Sequence, residues 1–98
     1  GGKGVATFIG VLLALSWPVG LIFCAVWLVI AFAQRYSSLA AITAASTSPI
    51  FAYVVTGSLR LVLVTVLITA VLLYRHATNI SRLIRGTEPK IGSEKKAS

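Results

Sequence analysis

Two stretches of this sequence, Gly1-Gly2-Lys3-Gly4 and Tyr74-Arg75-His76-Ala77-Thr78-Asn79-Ile80-Ser81-Arg82-Leu83, contain the residue types needed to handle an anion. In the first, successive backbone N–H groups of a glycine turn can form an anion-binding nest. The start of the following helix adds partial positive charge, and Lys3 adds a full one. The Ser or Thr that a P-loop places after its lysine is missing, so read alone this is equally a flexible loop with a snorkelling lysine. In the second stretch His76 and Asn79 are spaced i,i+3, and Arg75, Asn79 and Arg82 are linked at i,i+4 and i,i+3. One helix surface would then carry them all. Ile80 and Leu83 give that helix an apolar side to dock, Gly86 fits its stop, and Glu88 can tie back to an arginine. Arg82 and Arg85 also read as plain topology signals at a helix's cytoplasmic end.

The elements that must position these groups are set by composition. Hydrophobic residues make up 57% of the 98 and charged ones 11%, against roughly 25% charged in soluble chains. Between Gly4 and Tyr74 the only charged side chains are Arg35 and Arg60, and Asp is absent. Helices without polar faces need lipid as their solvent, which excludes a soluble enzyme. The net charge of +7 comes mostly from Arg75, Arg82, Arg85, Lys90, Lys95 and Lys96. Because that basic run directly follows an apolar helix, it suits anionic headgroups or phosphate substrates rather than nucleic acid. Cys24 is alone and reads as a small buried hydrophobe. One His, one Cys and two Glu do not make a protein metal site.

A membrane pass needs about 20 apolar residues. Residues 37–56 and 58–74 come close to that length. The stretch Val5–Ala33 is too long for one pass, at roughly 44 Å as a helix, and Trp17-Pro18-Val19-Gly20 interrupts it. A single kinked helix gives three passes with the two polar motifs on opposite faces. A hairpin turning at Trp17–Gly20 gives four, with both motifs on one face. Positive-inside counting favours four, because Lys3, Arg35 and the basic tail then share the cytoplasmic side and only Arg60 lies outside. The expectation is an all-α polytopic transmembrane bundle of about four passes, with residues 1–85 as the membrane domain and 86–98 as a basic cytoplasmic tail. Val5–Ser16 spans only about 18 Å as a helix, so the Gly1–Gly4 loop should be sunk below the headgroups, walling a cavity. Small residues from Ala40 to Ser48 predict close helix packing, Pro49 predicts a kink, and Thr65 and Thr69 should bond carbonyls or a neighbouring helix. The sequence has no Met and starts inside a functional-looking loop, so it reads as a piece whose amino-terminal part is missing. Val5–Ala33 lacks the cleavage pattern of a secretory signal.

The runs GGKGVAT, Arg35-Tyr36-Ser37-Ser38-Leu39-Ala40 and YRHxxNIxRLxxGxExKxG resemble the bacterial acyl-phosphate:glycerol-3-phosphate acyltransferases, the PlsY family. The resemblance covers essentially the whole chain. The first and last runs match that family's second and third signatures, and a Ser- and Asn-rich glycine loop that forms its first is absent. Ala77, Thr78 and Ala41 depart from the usual pattern. The resemblance implies transfer of a fatty acyl group from acyl phosphate to glycerol 3-phosphate, giving 1-acylglycerol 3-phosphate and phosphate, with no cofactor, CoA or carrier protein. By matching positions it implies that Gly1, Gly2, Lys3 and Gly4 hold the glycerol-3-phosphate phosphate. It makes His76 and Asn79 the catalytic candidates, with Arg75, Arg82 and Ser38 as substrate contacts and Glu88 as a structural residue. His76 would act as base, or the acyl phosphate's own phosphate would take the proton. The second is preferred, because no Asp exists to orient a catalytic histidine. The implied setting is the bacterial inner membrane, with the motifs facing the cytoplasm and functional coupling to the enzyme that makes acyl phosphate. The 98 residues alone are expected to be inactive. The competing reading is a non-enzymatic transport or pore subunit.

Overall fold

The structure, a computed structural model, describes residues 4–92; Gly1, Gly2 and Lys3 and the lysines at 95 and 96 lie outside the described residues. The chain forms five helices, α1 (Val5–Leu15), α2 (Trp17–Gln34), α3 (Ser37–Thr56), α4 (Leu59–Arg75) and α5 (Ala77–Arg85). The long apolar stretch is a hairpin, as the charge count requires. Its turn differs from expectation by one position, because Ser16 alone is extended (φ −160°, ψ 101°) and Trp17–Gly20 is already the first turn of α2. Pro18 explains the shift. Its fixed φ and missing N–H suit a first helical turn and would break an interior one. The hairpin closes tightly at Gly20, where a Cβ would stand 2.6 Å from Leu13 Cδ2 and 2.8 Å from the Leu13 backbone nitrogen.

α3 lies between α2 and α4 and packs closely against both. It can do so because its buried positions Ala40, Ala41, Ala44, Ala45, Ser48 and Ala52 put little more than methyl groups between the backbones. In lipid, that proximity and the dispersion contacts it allows drive association. Phe23, Leu12, Val19 and Leu72 fill the space between the helices. α3 runs through Pro49 as one helix. Proline leaves the carbonyl four residues back without its helical donor, and here that group is the Ala45 oxygen. It accepts instead from Ser48 Oγ at 2.6 Å and from Thr69 Oγ1 of α4, also at 2.6 Å. Thr69 Oγ1 is also 2.8 Å from the Thr65 oxygen, so its single proton is shared. Thr65 bonds back to the Val62 oxygen. Both threonines therefore satisfy carbonyls, and Thr69 also ties two helices together.

Leu15 and Ser16 of the α1–α2 turn line a hollow of about 280 Å³ together with Thr56, Ser58 and Arg60 of the α3–α4 turn. These turns share one end of the bundle. Gly4, the α2–α3 junction and His76 belong to the other. By length and composition α2 and α3 can each cross a membrane, with mean hydropathies of 2.0 and 1.5, and α4 with α5, bent by 65°, is a third if the pair is taken as one span. α1 is apolar but has 11 residues, about 16 Å of rise, and crosses only part of the bilayer. The result is the polytopic helical bundle expected, built around α2 and α3. The expectation of one helix continuing from the last pass is corrected. His76 sits between α4 and α5 at φ −105°, ψ 18°, in the sparsely populated bridge region. Its N–H is shared between the Leu72 and Leu73 carbonyls.

Candidate functional site

The bend at His76 turns α5 so that its polar residues meet the start of α3. Gly86 then ends α5 in a left-handed conformation (φ 75°, ψ 20°). Thr87 N–H donates to the Arg82 oxygen at 2.8 Å and Gly86 N–H to the Leu83 oxygen at 3.3 Å, the two bonds of a Schellman motif. This reversal sends residues 87–92 back across the end of the bundle. Glu88 thereby becomes the centre of the site. Its carboxylate accepts from Ser38 Oγ at 2.6 Å, from Asn79 Nδ2 at 2.7 Å and from Arg82 Nε at 2.6 Å. Burial by itself raises the Glu88 pKa and is the largest single influence. The three hydrogen bonds and the Arg82 charge together outweigh it and bring the value from 4.5 to about 2. Glu88 is therefore ionised throughout the physiological range, and its three partners are held by a full negative charge.

The strap formed by residues 87–92 runs antiparallel to the α2–α3 junction. Glu88 pairs with Ser38, Lys90 Nζ lies 5.7 Å from the centroid of the Tyr36 ring, and Ile91 pairs with Arg35. Ile91 N–H donates to the Arg35 oxygen at 2.6 Å, and Arg35 Nη2 donates to the Ile91 oxygen at 2.9 Å. Arg35 itself takes φ 62°, the one positive φ of a non-glycine residue among those described. The basic segment after α5 is thus bound to the bundle as far as Ile91.

His76 is 1% exposed, and its Nδ1 lies 2.8 Å from the Leu72 carbonyl oxygen. A carbonyl only accepts, so Nδ1 is the donor in this contact. The orienting group that the sequence lacks in the form of an Asp is present as backbone. Gly4 caps α1 at φ 88°, a conformation that disfavours any Cβ, and its carbonyl accepts from Phe8 N–H. Counting nine residues each way from the Leu13–Gly20 approach levels Gly4 with Val29, about 9 Å short of Arg35 at the helical rise.

Of the residues singled out from sequence, Ser38, Asn79 and Arg82 gather on Glu88, and His76 stands at the bend three positions before Asn79. Arg75 does not join them. It ends α4 on an exposed site, because the 65° bend breaks the single surface that its spacing implied. Gly1, Gly2 and Lys3 lie outside the described residues. Glu88 was assigned one arginine as partner and has three donors. Arg35 was missed as a contact residue. Its only signal is that α2 must stop before Ser37 where no glycine is available. Among the described residues no three His, Cys, Asp or Glu side chains gather as a metal would require.

The sequence profile of a family described as glycerol-3-phosphate acyltransferase matches residues 1–86. A glycerol-3-phosphate acyltransferase of Ruegeria sp. (strain TM1040) is 49% identical over 94 residues, which is 96% of this chain and 46% of that protein. One from Bradyrhizobium sp. (strain ORS 278) is 50% identical over 95 residues, 97% of this chain and 48% of that one. The chain spans about half the length of the curated relatives it matches. The fold is similar to a crystal structure of PlsY (YgiH), described as an integral membrane glycerol 3-phosphate acyltransferase, in its glycerol 3-phosphate form. The TM-score is 0.87 at 40% identity, covering 99% of this chain and 48% of that one. The lysophosphatidic acid form of that enzyme gives 0.86 at 42% identity, covering 95% of this chain and 47% of that one.

Proposed function

This chain belongs to the glycerol-3-phosphate acyltransferase family, and from that premise we propose that it serves transfer of a fatty acyl group from acyl phosphate to glycerol 3-phosphate. The observation that carries the reading is the convergence of Ser38, Asn79 and Arg82 on Glu88, at the same end of the bundle as Gly4 and His76. In the reaction, the glycerol C1 hydroxyl oxygen bonds to the acyl carbonyl carbon. The bond from that carbon to the bridging phosphate oxygen breaks, and the hydroxyl proton leaves with the phosphate. Acyl phosphate is already an activated mixed anhydride, so the protein's task is to hold two anions in register, a matter of cations and N–H donors. Arg82 commits Nε to Glu88 and offers the rest of its fork to a phosphate. Gly1, Gly2, Lys3 and Gly4 cradle the glycerol-3-phosphate phosphate, and Arg75 draws anions to the site. Ser38, tied up by Glu88, shapes the site more than it touches substrate.

His76 is assigned a binding and orienting role. Its Nδ1 is fixed by the Leu72 carbonyl, and the leaving phosphate can itself take the hydroxyl proton, so the reaction balances without a proton on His76. The site faces the cytoplasm of a bacterial inner membrane. Supporting this, Arg35, Arg75, Arg82, Arg85 and Lys90 lie at the site end of the bundle and Arg60 at the other, the asymmetry that positive-inside sorting produces. Acyl phosphate hydrolyses readily, which favours functional coupling to the enzyme that makes it.

The test follows phosphate release from acyl phosphate in native membranes carrying the full-length protein. Release should require glycerol 3-phosphate and should fall about tenfold or more in Lys3→Ala and in His76→Ala, the effect of losing a hydrogen bond to a charged group. Full activity in both variants would refute the assignment. The residual activity of His76→Ala should keep the wild-type pH profile, whereas loss of one limb of that profile would make His76 the base.

A further inference from the structure

α3 and α5 end on glycines in the left-handed region, Gly57 and Gly86, whereas α2 ends on Arg35 in the same conformation. A Cβ there crowds the following carbonyl, and such outliers persist where their surroundings over-determine them. At Arg35 the surroundings are the strap. Its backbone oxygen accepts from Ile91 N–H and its guanidinium donates to the Ile91 oxygen, so one residue grips both polar groups of another 56 positions away. A glycine at position 35 would relieve the strain and lose the second half of the grip. Three residues before Ile91, the same strap carries Glu88, and three residues after Arg35 stands Ser38, which donates to it. The pairs 35:91, 36:90 and 38:88 keep one antiparallel register, so fixing the first fixes the last.

We propose that Arg35 is a positioning residue: its left-handed backbone and its guanidinium clasp Ile91, and the clasped strap holds Glu88 where it orders Ser38, Asn79 and Arg82 before substrate arrives. Arg35 touches neither substrate. The clasp also makes Ile91 one wall of an apolar groove of about 360 Å³ with Trp27, Leu28, Ala31, Phe32 and Arg35. This inference rests on the function proposed above and adds how its phosphate-binding side chains are held ready.

The experiment compares the full-length wild-type protein with Arg35→Ala, Arg35→Lys and Ile91→Pro in native membranes or nanodiscs, reading amide hydrogen exchange of residues 87–92 and the acyl-transfer kinetics. Ile91→Pro removes the strap's donor without altering α2, which covers the case in which Arg35→Ala fails to fold. In Arg35→Ala, exchange across the strap should speed up about tenfold or more, as loss of a charge-assisted hydrogen bond predicts. The KM for glycerol 3-phosphate should rise about tenfold with kcat changed much less, because pre-ordering of the binding groups is lost. Arg35→Lys, which keeps a cationic donor, should recover part of both. Unchanged exchange in Arg35→Ala would overturn the clasp. Faster exchange with an unchanged KM, in Arg35→Ala or Ile91→Pro, would overturn the positioning role. Absence of acyl transfer by the full-length wild type would sink the proposed function instead, and the exchange arm would still decide the clasp.

Discussion

Replacing Glu88 by Gln removes one negative charge and leaves Arg82, Asn79 and Ser38 sharing an amide that both accepts and donates. Acyl transfer should fall about tenfold or more, since these bonds to a charged acceptor are the strong kind. The same carboxylate gives a pH signature. Its pKa is lowered on folding from 4.5 to about 2, so its stabilisation is complete above about 4.5 and drains away as the pH falls from there towards 2. Thermal melts of the wild type should lose stability across that window, and Glu88→Gln should lie lower at neutral pH and lack that part of the slope. A wild type and variant with parallel pH dependence would refute the assignment. In the sequence, Arg82 and Glu88 announced an ion pair by their charges. Ser38, 50 positions from Glu88, gave no such signal, because neutral hydroxyls declare partners only through the fold. His76 was legible as chemistry, but its burial and its carbonyl partner were not, since both follow from a bend that its flanking residues do not mark.

Among the helices, the joint between α3 and α4 rests on a carbonyl that proline leaves open. Thr69→Val removes the donor from α4 to the Ala45 oxygen while Ser48 remains, so the cost should be modest, about 0.6 kcal/mol and below 2. In a Pro49→Ala background the helix regains its own donor to that oxygen, and Thr69→Val should cost measurably less. Equal costs in both backgrounds, read from unfolding equilibria in mixed micelles, would show that the cross-helix bond is irrelevant. The helix spans at 37–56 and 58–74 were readable almost to the residue because apolar length and flanking glycine or charge are strong local signals. The break at Ser16 was readable as a break, but its position depended on proline's preference for a first turn. The α4–α5 bend was not readable. The spacing of Arg75, Asn79 and Arg82 is helical on either side, and the interruption is made by one residue's backbone angles.

Across the whole molecule, cations are divided between the ends, and cysteine labelling tests that division directly. In a Cys24→Ser background, Arg85→Cys should react with a membrane-impermeant thiol reagent only in inverted vesicles, and Arg60→Cys only in right-side-out ones. Labelling of both from one side would overturn the hairpin topology. The charge count alone already favoured the four-pass arrangement. What it could not give was depth. α1 is about 11 Å shorter than α2, by seven residues at the helical rise, which sets Gly4 a step below the surface at which Arg35 and Arg82 sit. An anion that descends to that step exchanges water for protein and lipid walls. If the effective permittivity there falls from about 80 to about 20, the attraction of any cation beside it grows fourfold. A charge placed at the start of so short a helix would therefore act more strongly than the same charge at the level of Arg35.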